Sequence, residues 1–216
     1  MSTTTLMRAC SDGSICACER DRLAGVQLPT QTGMPPDDFS RSTERYATFG
    51  AAGPGLLRTT SVHEARHAVL AEALIGTLID ATCALNASGF SLTRYAFLAP
   101  VERADLWVRS IAVSLAPREL TNEFDTEYAR IKARKIVRPC QVEPLLDRVR
   151  LALQDHADQL VPFENRIAAV LLASAERGEP GVERDELVAC LADVPEDLPL
   201  LGALDHIADL VRVTTS

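Results

Sequence analysis

The run His63-Glu64-Ala65-Arg66-His67 constrains this chain more than any other feature. Histidines at i and i+4 share one face of an α-helix, one turn apart. From there both imidazoles can bind a single zinc ion at about 2.0–2.1 Å. Glu64 follows the first histidine, so it stands beside the metal without being placed as a ligand. It is suited to take a proton from a water whose pKa the metal lowers toward about 7, and to pass that proton to a leaving amine. The local pattern predicts the helix that this chemistry needs, from Thr59 to about Leu74. Thr60 or Ser61 is placed to cap it. Val62, Val69, Leu70, Ala73 and Leu74 supply an apolar stripe, and Gly76 is placed to end it. The rival, metal-free reading is a surface helix carrying two solvated histidines and a glutamate.

A catalytic zinc needs a third protein ligand and an open fourth position. A third histidine six residues beyond the motif is absent, because Ala73 stands there. His156 and His206 have the right side chain but no supporting context. The helices that follow offer carboxylates instead: Asp105, Glu119, Glu123, Asp125 and Glu127.

The rest of the chain reads as one ordinary domain behind a tail. Of its 216 residues 47% are hydrophobic and 24% charged, enough to build a core without disulfides. A formal net charge of −8 argues against a nucleic-acid binder. No apolar run reaches the roughly 18 residues of a membrane span, and the first residues lack the apolar core of a signal peptide, so a cytoplasmic protein without a membrane partner is expected. Cys10, Cys16, Cys18, Cys83, Cys140 and Cys190 then read as thiols. The first three lack the paired spacing of a metal site. Residues 1–55, rich in Ser, Thr, Gly, Pro and Asp, read as a flexible tail. Residues 56–195 read as the domain and 196–216 as a C-terminal helical extension.

Within the domain, Thr77 to Leu85 and Phe90 to Phe97 are strand candidates around the turn signal Asn86-Ala87-Ser88-Gly89. Helical patterns cover Val101 to Leu115, Thr121 to Val137, Pro144 to Leu160, Pro162 to Glu176, Val182 to Leu191 and Leu198 to Val213. The expected class is mainly α with a small β-sheet, α+β. The basic run Arg130, Lys132, Arg134, Lys135 and Arg138 reads as a solvated helix face.

Taken together, SVHEARHAVLAEAL resembles the H-E-A-G-H-A segment of the FtsH-type zinc metallopeptidase domain. Downstream, Asp125-Thr126-Glu127-Tyr128-Ala129 through Val137 is similar to that family's helix patterned D-L-E-x-A-x-x-x-A-R-x-x-V. Ile111 to Arg118 resembles the family's apolar helix ending in L-A-G-R, and Gly89-Phe90-Ser91-Leu92 its edge strand. PLLDRVRLALQDHADQL and RDELVAC look like its closing helices. The resemblance spans about residues 56 to 191. It implies a zincin-like fold, a Zn2+ cofactor held by His63, His67 and Asp125, and Glu64 as general base. It also implies hydrolysis of a peptide or unfolded protein substrate, added as a strand near Thr77–Leu85. The chain carries no Walker-type phosphate loop, so such a peptidase would act without ATP or with a separate ATPase or adaptor. Arg66 stands where the family has glycine, and its charge is expected to snorkel outward. If it instead marks a lost activity, the chain is a pseudopeptidase acting as a binding or regulatory module.

Overall fold

The computed structural model describes residues 54–83, 91–97, 99–117, 123–179 and 181–215. Residues 1–53 of the expected tail, with its three cysteines, the 86–89 turn and Glu119 lie outside these, while Pro54 and Gly55 belong to the first helix rather than the tail. The described residues form seven α-helices and a small antiparallel sheet, the α+β class. In chain order they are α1 (Pro54–Ile75), β1 (Leu78–Cys83), β2 (Ser91–Tyr95), α2 (Ala104–Ser114), α3 (Glu123–Ala133), α4 (Val142–His156), α5 (Val161–Glu176), β3 (Val182–Glu183), α6 (Arg184–Ala189) and α7 (Pro199–Thr215).

Helix α1 carries the motif and starts about five residues earlier than the pattern predicts. Pro54 fits the first helical position, where a missing N–H costs nothing. Ser61 is therefore no cap. It is buried mid-helix, and its hydroxyl donates to the Leu57 carbonyl one turn back at 2.8 Å. Gly76 does end the helix. Its φ is +73°, and its N–H reaches the Glu72 carbonyl at 2.8 Å. The predicted stripe is also too narrow. Ala65, Ala68 and Ala71 are fully buried beside Val69, Leu70 and Leu74. A helix enclosed on most sides is a core element, and α1 packs on α5, α2 and both longer strands.

The sheet order is β2-β1-β3, all antiparallel. Cys83 pairs with Ser91 and Leu78 with Tyr95, across a bulge between Leu78 and Asp80. Two residues of β3 pair with Asp80 and Ala81. This corrects two expectations. Val182–Glu183 is a strand rather than the start of a helix, because pairing across the sheet overrides local propensity. The strand expected to receive a peptide, β1, is the central one, and the outer edges belong to β2 and β3.

Helices α2, α4 and α7 complete the bundle. Leu200, Leu204 and Ala208 of α7 are fully buried in the same core as Ile111, Leu145 and Val149. No described helix is long and apolar enough to cross a membrane.

Candidate metal centre

Three side chains from two helices meet over one turn of α1. His63 and His67 project from α1, and Asp125 from the first turn of α3. His63 Nε2 lies 3.3 Å from His67 Nε2. Asp125 Oδ2 lies 3.2 Å from the first and 3.6 Å from the second. Their side chains are 14%, 11% and 21% exposed. The metal-free reading of solvated histidines on a surface helix therefore does not describe these residues.

The spacing suits a tetrahedral ion. Ligands at 2.0–2.1 Å from a tetrahedral zinc stand about 3.3–3.4 Å from one another. The three separations bracket that value, so these atoms need little movement to share one ion. Each of the three is an atom that can donate a lone pair to a metal. The His67 ring is turned by a bond of 2.7 Å between Nδ1 and the Val113 carbonyl on α2. A carbonyl only accepts, so Nδ1 carries the proton, and in the neutral ring Nε2 is left free to ligate. Among the described residues, Asp125 Oδ2 is a buried oxygen with no hydrogen-bond partner. Three electron-rich atoms this close repel unless a proton or cation lies among them. Charge in the site reflects this. Burial works against ionised Asp125, yet the two imidazoles hold its carboxyl well below the usual carboxylate range. Burial likewise disfavours protonated His67, but Asp125, Glu64 and the Val113 carbonyl outweigh it and raise its pKa. Among the described residues, His63, His67 and Asp125 are the group that could hold a metal ion.

Glu64 is nearly fully buried beside this group, with Oε1 3.9 Å from His63 Nε2. The Thr93 hydroxyl on β2 lies 2.8 Å from Glu64 Oε2 and 3.0 Å from the Glu64 carbonyl. The carboxylate is thus tied to the sheet through one oxygen, while the other faces His63.

The other sequence candidates are placed elsewhere. Asp105 is held by Arg103 at 2.7 Å and by Arg212 at 3.1 Å, and its pKa falls to about 2, chiefly through the Arg103 hydrogen bond. Glu127 pairs with Arg130 and Arg134 on the exposed side of α3. His206 is exposed on α7, and His156 closes α4. The Glu123 side chain is outside the described set.

Arg66 does not snorkel outward. Its Nε donates to Glu164 Oε2 on α5 at 3.3 Å, and the two side chains are only 11% and 7% exposed. Lys132 likewise leaves the solvated face expected of the basic run. It donates to the Tyr95 hydroxyl, to the Ser110 carbonyl at 3.0 Å and to Ser114 Oγ at 2.7 Å. Thr93, Val113, Glu164 and Lys132 were not candidates from sequence. Each lies between 29 and 98 positions from the α1 residue, or 18 to 37 from the α2 and β2 residues, that it meets. No local pattern encodes contacts over such separations.

Comparisons with known proteins add no relative: no family model, no curated protein and no solved structure matches the chain.

Proposed function

We propose that the chain is an ATP-independent, FtsH-like zinc metallopeptidase with a zincin-like fold. The observation that carries this reading is the convergence of His63, His67 and Asp125 at 3.2–3.6 Å, with Glu64 buried alongside. A zinc ion held by those three residues would supply Lewis acidity, lowering the pKa of a water and polarising a peptide carbonyl. Two neutral imidazoles and one carboxylate would leave that ion with net positive charge.

The chain's own residues have distinct tasks in this reading. His67 is oriented by Val113, and Asp125 brings the negative charge. Glu64 Oε1 takes a proton and later returns one to the departing amine, while Thr93 holds Oε2. Thr93 also lies on β2, and among the described residues no strand pairs with the outer side of β2. An extended peptide added there by main-chain pairing would run beside Glu64. The pairing of Arg66 with Glu164 supports an active site over a pseudopeptidase, because it draws the guanidinium toward α5.

Glu64→Gln tests the assignment. It should keep about one zinc per chain and lose hydrolysis of an unfolded protein such as casein. Loss of zinc in that variant would make Glu64 a ligand or a structural residue, and undiminished hydrolysis would remove it as the base.

A further inference from the structure

Among the described residues Lys132 makes no ion pair, yet it is half-buried and all three of its N–H donors can be used. Its acceptors are the Tyr95 hydroxyl on β2 and, on α2, the Ser110 carbonyl and Ser114 Oγ. An ammonium tied to three neutral acceptors costs desolvation that only good geometry offsets. Two further observations tie this anchor to the metal centre. Lys132 is seven residues beyond Asp125 on α3, and seven residues are close to two full turns, so both lie on one face about 10 Å apart. Meanwhile the stretch of α2 that binds Lys132, residues 110–114, also contains Val113, whose carbonyl orients His67.

Among the described side chains of α3, the fully buried ones are Ala129 and Ala133. Their methyl groups permit close approach to a neighbour but give few interlocking ridges against sliding. Directional bonds from Lys132 add what these alanines lack.

We infer that Lys132 is a positioning residue: it fixes α3 against α2 and β2, and so sets Asp125 at ligand distance from His63 and His67. This rests on the metal-centre reading.

Cobalt(II) titration of the full chain tests it, because visible absorption reports both occupancy and coordination geometry. Wild type, Lys132→Met, Lys132→Arg and, as an exposed control just past the end of the same helix, Arg134→Met would be compared. Folding would be checked by circular dichroism. Lys132→Met should bind cobalt about 10–100-fold more weakly, the range seen when residues supporting a ligand are lost, with an altered visible band. Lys132→Arg, which keeps the charge and donors, should restore most of the affinity, and Arg134→Met should match wild type. A folded Lys132→Met with wild-type affinity and spectrum overturns the inference. Equal weakening in Arg134→Met, or no rescue by arginine, also overturns it, since either marks a general loosening of α3. If Lys132→Met does not fold, Tyr95→Phe and Ser114→Ala each remove one acceptor. Weaker cobalt binding in those folded variants upholds the inference, and unchanged binding in both refutes it. A wild type that takes up no cobalt fails the metal centre itself, before any variant is compared.

Discussion

Replacing Glu164 by leucine takes from Arg66 the carboxylate that meets it inside the protein. The pair is nearly enclosed, at 11% and 7% exposure, with Arg66 Nε 3.3 Å from Glu164 Oε2. Removing one member of a buried pair costs about 3–5 kcal/mol, and the 3.3 Å separation argues for a value at or just below the low end, about 2–3 kcal/mol. In a protein of this size each kcal/mol moves the melting temperature by about 2–4 °C, so a fall of about 4–12 °C is expected. Arg66→Leu should behave similarly. The double variant should recover most of the loss, because apolar groups that replace both charges together are often neutral or better. Thermal melts and urea unfolding of the four proteins, all metal-free so that binding does not shift the baseline, give the coupling energy directly. We expect at least about 1.5 kcal/mol of coupling. Single variants within about 0.5 kcal/mol of wild type, with additive effects, would refute the argument. Arg66 would then be solvated in solution, free to place its charge near the ligand histidines.

Three further outcomes follow from the geometry. Thr93→Val removes a hydrogen bond to a nearly buried carboxylate, a bond of about 1.5–3 kcal/mol, without touching a ligand. It should leave zinc content unchanged and lower kcat about 10–100-fold, whereas loss of zinc or unchanged turnover would contradict the role given to Thr93. Asp125→Ala should weaken zinc retention against a chelator far more than Glu127→Ala, because Glu127 faces Arg130 and Arg134; the reverse ranking would move the third ligand. Asp105 has a folded pKa depressed from 3.8 to about 2, so the stability it adds is present above about pH 4 and is lost as the pH falls toward 2. Asp105→Asn should therefore flatten the acid limb of the stability curve over that interval, and an unchanged limb in urea unfolding at pH 2–5 would show that the pairs with Arg103 and Arg212 contribute nothing.

The parts of this fold legible in the sequence are those with a local cause. The spacing of His63 and His67 placed both rings on one helix face, and Gly76 supplied the positive φ that ends the helix. Alternation and β-branching located β1 and β2 to within two residues. Asp125 was one carboxylate among several until the resemblance of its helix to a known pattern singled it out, and geometry now brings it to the histidines. Other features had no local cause to read. Ser61 looks like a cap, yet its hydroxyl satisfies a carbonyl within the helix while packing against Cys83 on the sheet. Val182–Glu183 becomes a strand only because β1 offers it a partner about 100 residues away in sequence. Arg66 and Lys132 each look like surface cations, and each is drawn inward by acceptors on other elements.

The central claim is that His63, His67 and Asp125 hold one metal ion. The most direct test is the zinc content of purified, tag-free protein by elemental mass spectrometry, with His63→Ala alongside so that cysteine-bound metal is not counted as the site. The account predicts about one zinc per chain in wild type and its loss in the variant. A wild type that retains no metal after zinc is supplied and the excess removed, or a variant that retains as much as wild type, would contradict it.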